Sequence, residues 1–90
     1  MTKTIRILVF GKVQGVYFRQ STLNFCNQNG LVGQVKNQKD GSVEIVASGT
    51  DEKIQQLLAW SKVGPSRAIV DKLEYEEIPL QNFSRFTIVR

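Results

Sequence analysis

The amino-acid sequence predicts an α+β fold in which two helices cover one face of an antiparallel sheet. Several short segments alternate apolar and polar residues, and two others carry apolar residues at helical spacing. In chain order these segments form β-α-β-β-α-β with a short extra C-terminal strand, which is the order of the ferredoxin-like sandwich. We expect a single domain over residues 1–90, because neither a linker nor a repeat divides the chain.

The first strand and the first helix enclose a glycine-containing loop. The strand is predicted over Thr4–Val13, where aliphatic residues at every second position share one face. The loop is Gln14–Arg19, and the helix is expected from Gln20 or Ser21 to Asn29. Gly30 can adopt the left-handed conformation that ends helices. The buried face of this helix is expected to consist of Thr22, Phe25, Cys26 and Asn29.

A hairpin follows the first helix. Leu31–Asn37 and Ser42–Ser48 are predicted as the second and third strands, because Asp40-Gly41 between them is a strong signal for a short turn. Alternation in the third strand predicts one covered and one open face of the sheet.

The second helix is the clearest element of the pattern. Thr50 can cap it, and its buried face is expected to consist of Ile54, Leu57, Leu58 and Ser61. Gly64-Pro65 ends it. A fourth strand from Arg67 to about Ile78 alternates imperfectly, which indicates a bulge. The last strand lies within Phe83–Val89.

Composition excludes several kinds of site. The chain has no histidine and one cysteine, Cys26, so neither an internal disulfide nor a zinc site can form, and a reducing, cytoplasmic setting fits best. The N-terminal apolar stretch is too short to span a membrane. The net charge is +4, and the basic residues behind it are scattered along the chain, mostly singly. This distribution disfavours binding of nucleic acid and suits attraction of small anions.

The loop after the first strand is the best candidate for a binding site. Gly15 permits backbone conformations closed to other residues, and the loop leads into a helix whose first N–H groups have no partner within the helix. Such a concavity suits a phosphate, to which Arg19 can add a two-pronged contact. Phe18 is expected to seal the loop against the core. These residues alone leave a plain turn and an anion site as alternatives.

Two motifs in the sequence resemble those of the acylphosphatase family. The first is GKVQGVYFR at Gly11–Arg19, and the second is VKNQKDGSV at Val35–Val43, preceded by Gly33 and followed by Gly49. Other positions that match the family pattern extend the resemblance over essentially the whole chain: Gly30-Leu31, Gly64-Pro65 and Phe83–Phe86.

The resemblance implies an enzyme that hydrolyses the carboxyl-phosphate bond of acyl phosphates to a carboxylate and inorganic phosphate, without metal or cofactor. It implies that Arg19 binds the phosphate and that Asn37 orients the attacking water. Inorganic phosphate or sulfate is the expected product-like ligand. The substrate-binding residues expected beside Arg19 are Gln14, Gly15, Val16, Tyr17 and Phe18.

One position departs from the family pattern. Gln34 stands where a bulky aromatic residue is usual. We expect this difference to affect local packing more than chemistry, because Gln34 and Asn37 should point to opposite faces of their strand.

The side chains near the motifs can position a substrate and supply positive charge, but none of them can act as a general base. Asn37 is an amide and takes no proton at neutral pH. Cys26 lies away from the anion-binding end of its helix, so we interpret it as a structural thiol. The proton of the attacking water is therefore expected to pass to a phosphate oxygen of the substrate.

Two other functions are compatible with the same topology. One is a non-catalytic ferredoxin-like module that binds nucleic acid or small anions, although the third strand lacks the aromatic residues on which RNA-recognition domains stack bases. The other is an acylphosphatase-like domain of a larger maturation enzyme. Because the chain stops at the last strand, we expect a standalone enzyme, with a monomer as the default state.

Overall fold

The computed structural model describes residues 1–90 and contains five strands and two helices. Their order is the predicted one. The elements are β1 (Thr2–Lys12), α1 (Phe18–Gln28), β2 (Val32–Asn37), β3 (Val43–Thr50), α2 (Asp51–Ser61), β4 (Ile69–Ile78) and β5 (Phe86–Val89). Neither helix has the length and apolar character needed to cross a membrane.

The strands form one sheet in the order β4-β1-β3-β2-β5. The four longer strands pair antiparallel, as predicted. Both helices pack on the same face, because α1 contacts β2, β5 and α2, while α2 contacts β1 and β3. The ferredoxin-like prediction is confirmed, with β5 as the extra strand at the edge of β2.

The sheet is mixed, which corrects the expectation of a wholly antiparallel one. β5 pairs parallel with β2. The reason lies in the connection between β4 and β5, which reverses the chain direction and crosses from one edge of the sheet to the other. Gln81 fastens this crossing: its N–H donates to Thr4 Oγ1 at 2.9 Å, and its carbonyl accepts from Ser48 Oγ at 3.0 Å.

β3 is buried on both faces, although one open face was expected. Glu44, Val46 and Ser48 are at most 9% exposed. Glu44 is covered by two cations, Arg6 at 2.6 Å and Lys36 at 3.7 Å, and the crossing connection covers Ser48. A central strand thus has its second face covered by charged side chains and a loop.

Local patterns predicted α2 and the β4 bulge correctly. The four expected residues of α2 are its buried residues, and Thr50 Oγ1 accepts the Lys53 N–H at 3.4 Å. In the pairing of β1 with β4, Phe10 faces Lys72 and Gly11 faces Val70, which leaves one extra residue in β4 and confirms the bulge.

Candidate active site

A cavity of about 460 Å³ lies where the loop before α1 approaches the ends of β2 and β5. Arg19 and Asn37, which the two motifs single out, both line it. Its lining residues are Val13, Gly15, Tyr17, Phe18, Arg19, Gln20, Asn37, Arg67, Ile88 and Arg90.

The loop enters α1 through an unusual backbone conformation. Gly15 has φ +74°, and Tyr17 has φ +64°, the only positive φ at a residue other than glycine. Tyr17 is the residue before the helix, so a left-handed residue is followed directly by right-handed Phe18. Such alternation turns successive N–H groups toward one point and forms an anion-binding concavity. It also starts the helix at Phe18, which corrects the predicted start at Gln20 or Ser21.

Six consecutive backbone N–H groups, Gly15 to Gln20, donate to no acceptor in the protein. The first bonded N–H is that of Ser21, which donates to the Tyr17 carbonyl at 3.0 Å. Apart from Gly15 itself and its two chain neighbours, no residue has an atom within 4 Å of the position that a Cβ on Gly15 would occupy. The loop therefore combines unpaired donors, the positive end of the α1 dipole and open space beside the backbone.

Phe18 anchors this loop to the core, as expected. Its side chain is buried, and its ring centroid lies 5.5 Å from that of Trp60 on α2. Gly64 allows the close approach, because a Cβ there would lie 2.7 Å from the Phe18 ring. Val16 is also buried and does not line the cavity, whereas Tyr17 is 71% exposed and does.

Gln14 connects the loop to the β2–β3 hairpin. Its Nε2 donates to the Gln38 carbonyl at 2.8 Å and to the Ser42 carbonyl at 2.9 Å. It does not line the cavity. The structure thus gives Gln14 protein partners on the hairpin that follows Asn37, so its amide holds the loop against that hairpin.

Asn37 is the last residue of β2, and its Oδ1 is buried without a hydrogen-bond partner. A buried acceptor without a donor costs roughly 1–3 kcal/mol. A water molecule that donates to Oδ1 removes this cost. Asn37 can therefore hold a water molecule at the cavity that Arg19 also lines.

Cys26 takes no part in this site. Its side chain is buried and does not line the cavity, and burial raises the pKa of the thiol to about 12. A thiol with such a pKa is protonated at neutral pH and is a poor nucleophile. The interpretation of Cys26 as a structural thiol is confirmed.

Sequence reasoning missed Arg67 and Arg90 as cavity residues. Arg67 lies between α2 and β4, and Arg90 follows β5. The position of Arg90 depends on the parallel pairing of β5 with β2. Arg67 lies in the connection in which Gly64 packs against Phe18. No local pattern near either residue signals these tertiary contacts.

Comparison with known proteins identifies the family. The acylphosphatase family model matches residues 5–88. An acylphosphatase from Marinobacter nauticus is 47% identical over 81 residues, which are 89% of this chain and 88% of that one. The structure of an acylphosphatase from Coxiella burnetii superposes with a TM-score of 0.95 at 39% identity, over 98% of this chain and 93% of that one.

The crystal structure of acylphosphatase from Bacillus subtilis has a TM-score of 0.94 at 36% identity, and each chain covers 100% of the other. Three findings indicate the same family: the two motifs at the expected spacing, the match over most of the chain and the shared fold. The chain belongs to the acylphosphatase family, as its motifs predicted.

Proposed function

We propose that this protein hydrolyses the carboxyl-phosphate bond of acyl phosphates in the cavity described above, with its own residues and without a metal. Family membership supports the reaction and does not favour a non-catalytic binding module. The unpaired loop amides, Arg19 and Asn37 all lie at one cavity. We base the roles of these residues on this observation.

The loop and Arg19 bind the phosphoryl group. The N–H groups from Gly15 onward donate to its oxygens, and the Arg19 guanidinium adds a charge-assisted contact. No Asp or Glu lines the cavity to compete for these donors. The same groups stabilise the charge that spreads over the equatorial oxygens in the transition state. Inorganic phosphate and sulfate, which share the tetrahedral shape, bind at the same place.

Asn37 positions the attacking water. Its Oδ1 accepts one hydrogen of the water, so that a lone pair points toward phosphorus. As the new P–O bond forms, the bond from phosphorus to the acyl oxygen breaks, and the carboxylate leaves with the electron pair. No Asp, Glu or His lines the cavity, so the water proton passes to a phosphoryl oxygen. An acyl phosphate dianion and water thus give a carboxylate and dihydrogen phosphate.

The decisive assay measures hydrolysis of benzoyl phosphate in excess chelator. Asn37→Ala should lower kcat by on the order of a hundredfold and leave the Kd for inorganic phosphate nearly unchanged, because it removes only water positioning. Arg19→Ala should weaken phosphate binding and lower kcat/KM together. Full turnover by either variant would contradict the assigned role, and loss of parent activity in chelator would contradict a metal-free reaction.

Two substitutions serve as matched controls. Arg85→Ala removes one exposed arginine that does not line the cavity, and Asn27→Ala removes one exposed asparagine of α1. Both should keep the kinetics of the parent. We also propose that the enzyme acts as a monomer, because one chain supplies every group named above; size-exclusion chromatography with light scattering tests this. A reducing, cytoplasmic setting fits its single free cysteine.

A further inference from the structure

The cavity carries more positive charge than the proposed function uses. Three of the protein's five arginines line it: Arg19, Arg67 and Arg90. No carboxylate lies within 4.0 Å of any of these three guanidiniums. By contrast, Arg6 on the opposite face of the sheet pairs with Glu44 at 2.6 Å. None of the three cavity guanidiniums is paired with a carboxylate of the protein.

The phosphoryl group accounts for part of this charge. Its oxygens are held by Arg19 and by the free amides at the start of α1. Arg67 and Arg90 come from other elements, the first from the α2–β4 connection and the second from the end of β5. A substrate with an uncharged acyl group, such as acetyl phosphate, presents no second anion to them.

The cavity also has room beyond the phosphoryl group. Its volume of about 460 Å³ lies within the roughly 300–1,000 Å³ that small-molecule sites occupy. Val13 and Ile88 give part of its wall an apolar character. A short carbon chain that ends in an anion matches this combination of apolar wall and unpaired guanidiniums.

We propose that Arg67 and Arg90 form a second anion subsite, and that the preferred substrates are acyl phosphates whose acyl group bears its own carboxylate or phosphate. This inference rests on the proposed function. A guanidinium fork binds a carboxylate through two parallel hydrogen bonds. Because this contact is made with the anionic end of the acyl group and not with the phosphoryl group, it acts on the choice of substrate and leaves the chemical step unchanged.

The test compares two substrates with the same reacting bond. Succinyl phosphate differs from acetyl phosphate by a longer chain that ends in a free carboxylate. At about 0.15 M NaCl, where long-range attraction is screened, the parent should favour succinyl phosphate by about tenfold in kcat/KM. The double variant Arg67→Gln/Arg90→Gln should lose this preference and keep its acetyl phosphate turnover within about threefold. The double variant Lys62→Gln/Arg85→Gln, which removes the same number of positive charges at exposed positions outside the cavity, should retain the preference.

Two results would overturn the subsite: equal kcat/KM for both substrates in the parent, or an equal loss for both in the double variant. The second result would mean that Arg67 and Arg90 serve the phosphoryl group. Calorimetry with methylphosphonate and phosphonoacetate, which undergo no hydrolysis, separates this question from catalysis. Phosphonoacetate should bind the parent more tightly, and the double variant should bind both alike. If Arg19→Ala and Asn37→Ala keep full turnover, the proposed function fails. The difference in affinity between phosphonoacetate and methylphosphonate still decides whether the subsite exists.

Discussion

Gln14→Ala tests whether the loop is held in place by the β2–β3 hairpin. The substitution removes two hydrogen bonds, at 2.8 and 2.9 Å, to the carbonyls of Gln38 and Ser42. Each carbonyl keeps another donor, since Gln38 O accepts the Gly41 N–H at 3.1 Å and Ser42 O accepts the Gln38 N–H at 2.8 Å. Neither is left wholly unsatisfied, so the cost is the net value of two hydrogen bonds, about 2 kcal/mol.

For a domain of this size, such a loss lowers Tm by about 8–16 °C. Urea unfolding followed by far-UV circular dichroism measures the free energy of unfolding. Turnover measured well below the Tm should fall by about tenfold, because the loop is no longer fixed relative to Asn37. Gln14→Glu keeps the size of the side chain but sets a carboxylate oxygen against two carbonyl oxygens, so it should destabilise more than alanine.

The matched control is Gln28→Ala, because Gln28 is exposed on α1 and makes no side-chain hydrogen bond. It should change the free energy of unfolding by less than about 0.5 kcal/mol. If Gln14→Ala is as stable and as active as Gln28→Ala, the amide of Gln14 does not hold the loop.

Three further predictions follow from backbone geometry and burial. Gly15→Ala and Gly41→Ala both place a Cβ in open space at positive φ, so each should lower the free energy of unfolding by about 1–2 kcal/mol. Only Gly15 lines the cavity, so calorimetry should show weaker phosphate binding for Gly15→Ala alone. Equal phosphate affinity of the two variants would contradict this. Gly33→Ala should lower the free energy of unfolding by more than about 3 kcal/mol or fail to fold, because its Cβ would overlap the Val46 carbonyl. A Tm equal to that of the parent would contradict this and would show that β2 and β3 can move apart. Burial raises the pKa of the Cys26 thiol from 9.0 to about 12, so between these pH values the folded state keeps a proton that the unfolded chain loses. In that window the free energy of unfolding of the parent should fall by about 1.4 kcal/mol per pH unit relative to Cys26→Ala. Equal pH slopes of the two proteins in urea unfolding would contradict this.

The fold was predictable from sequence wherever local patterns decide it. The face of α2 and its Thr50 cap depend on residues within one helix, and both were predicted. The start of α1 was not, because Tyr17 precedes that helix without a capping side-chain bond. Packing of Phe18 against Trp60 and Gly64 holds the loop that leads into the helix. That packing is tertiary, so no pattern around Tyr17 signals it.

The site was predictable only in part, for a related reason. The residue pattern alone indicated an anion site as one alternative beside a plain turn, and the roles of Arg19 and Asn37 came from the family resemblance. Arg67 escaped prediction because it lies in a connection that reaches the cavity through the tertiary packing of Gly64 against Phe18. Arg90 escaped prediction because its place depends on where β5 joins the sheet. That position is set by the crossing connection and its hydrogen bonds to Thr4 and Ser48, which are remote in sequence from Gln81.

The short strand β5 also bears on solubility. Gly33 to Lys36 of β2 pair with it, so the strand that ends in Asn37 presents no free edge to other molecules. At the far side of the sheet, β4 is left unpaired along one edge, but it carries a bulge and several charged side chains, Lys72 and Glu74 among them. On the side of β2, β5 itself forms the edge of the sheet, but it has only four residues. A very short edge strand and a bulged, charged one both disfavour intermolecular β-pairing. A truncation that removed β5 would open one wall of the cavity and expose β2 as a template for aggregation.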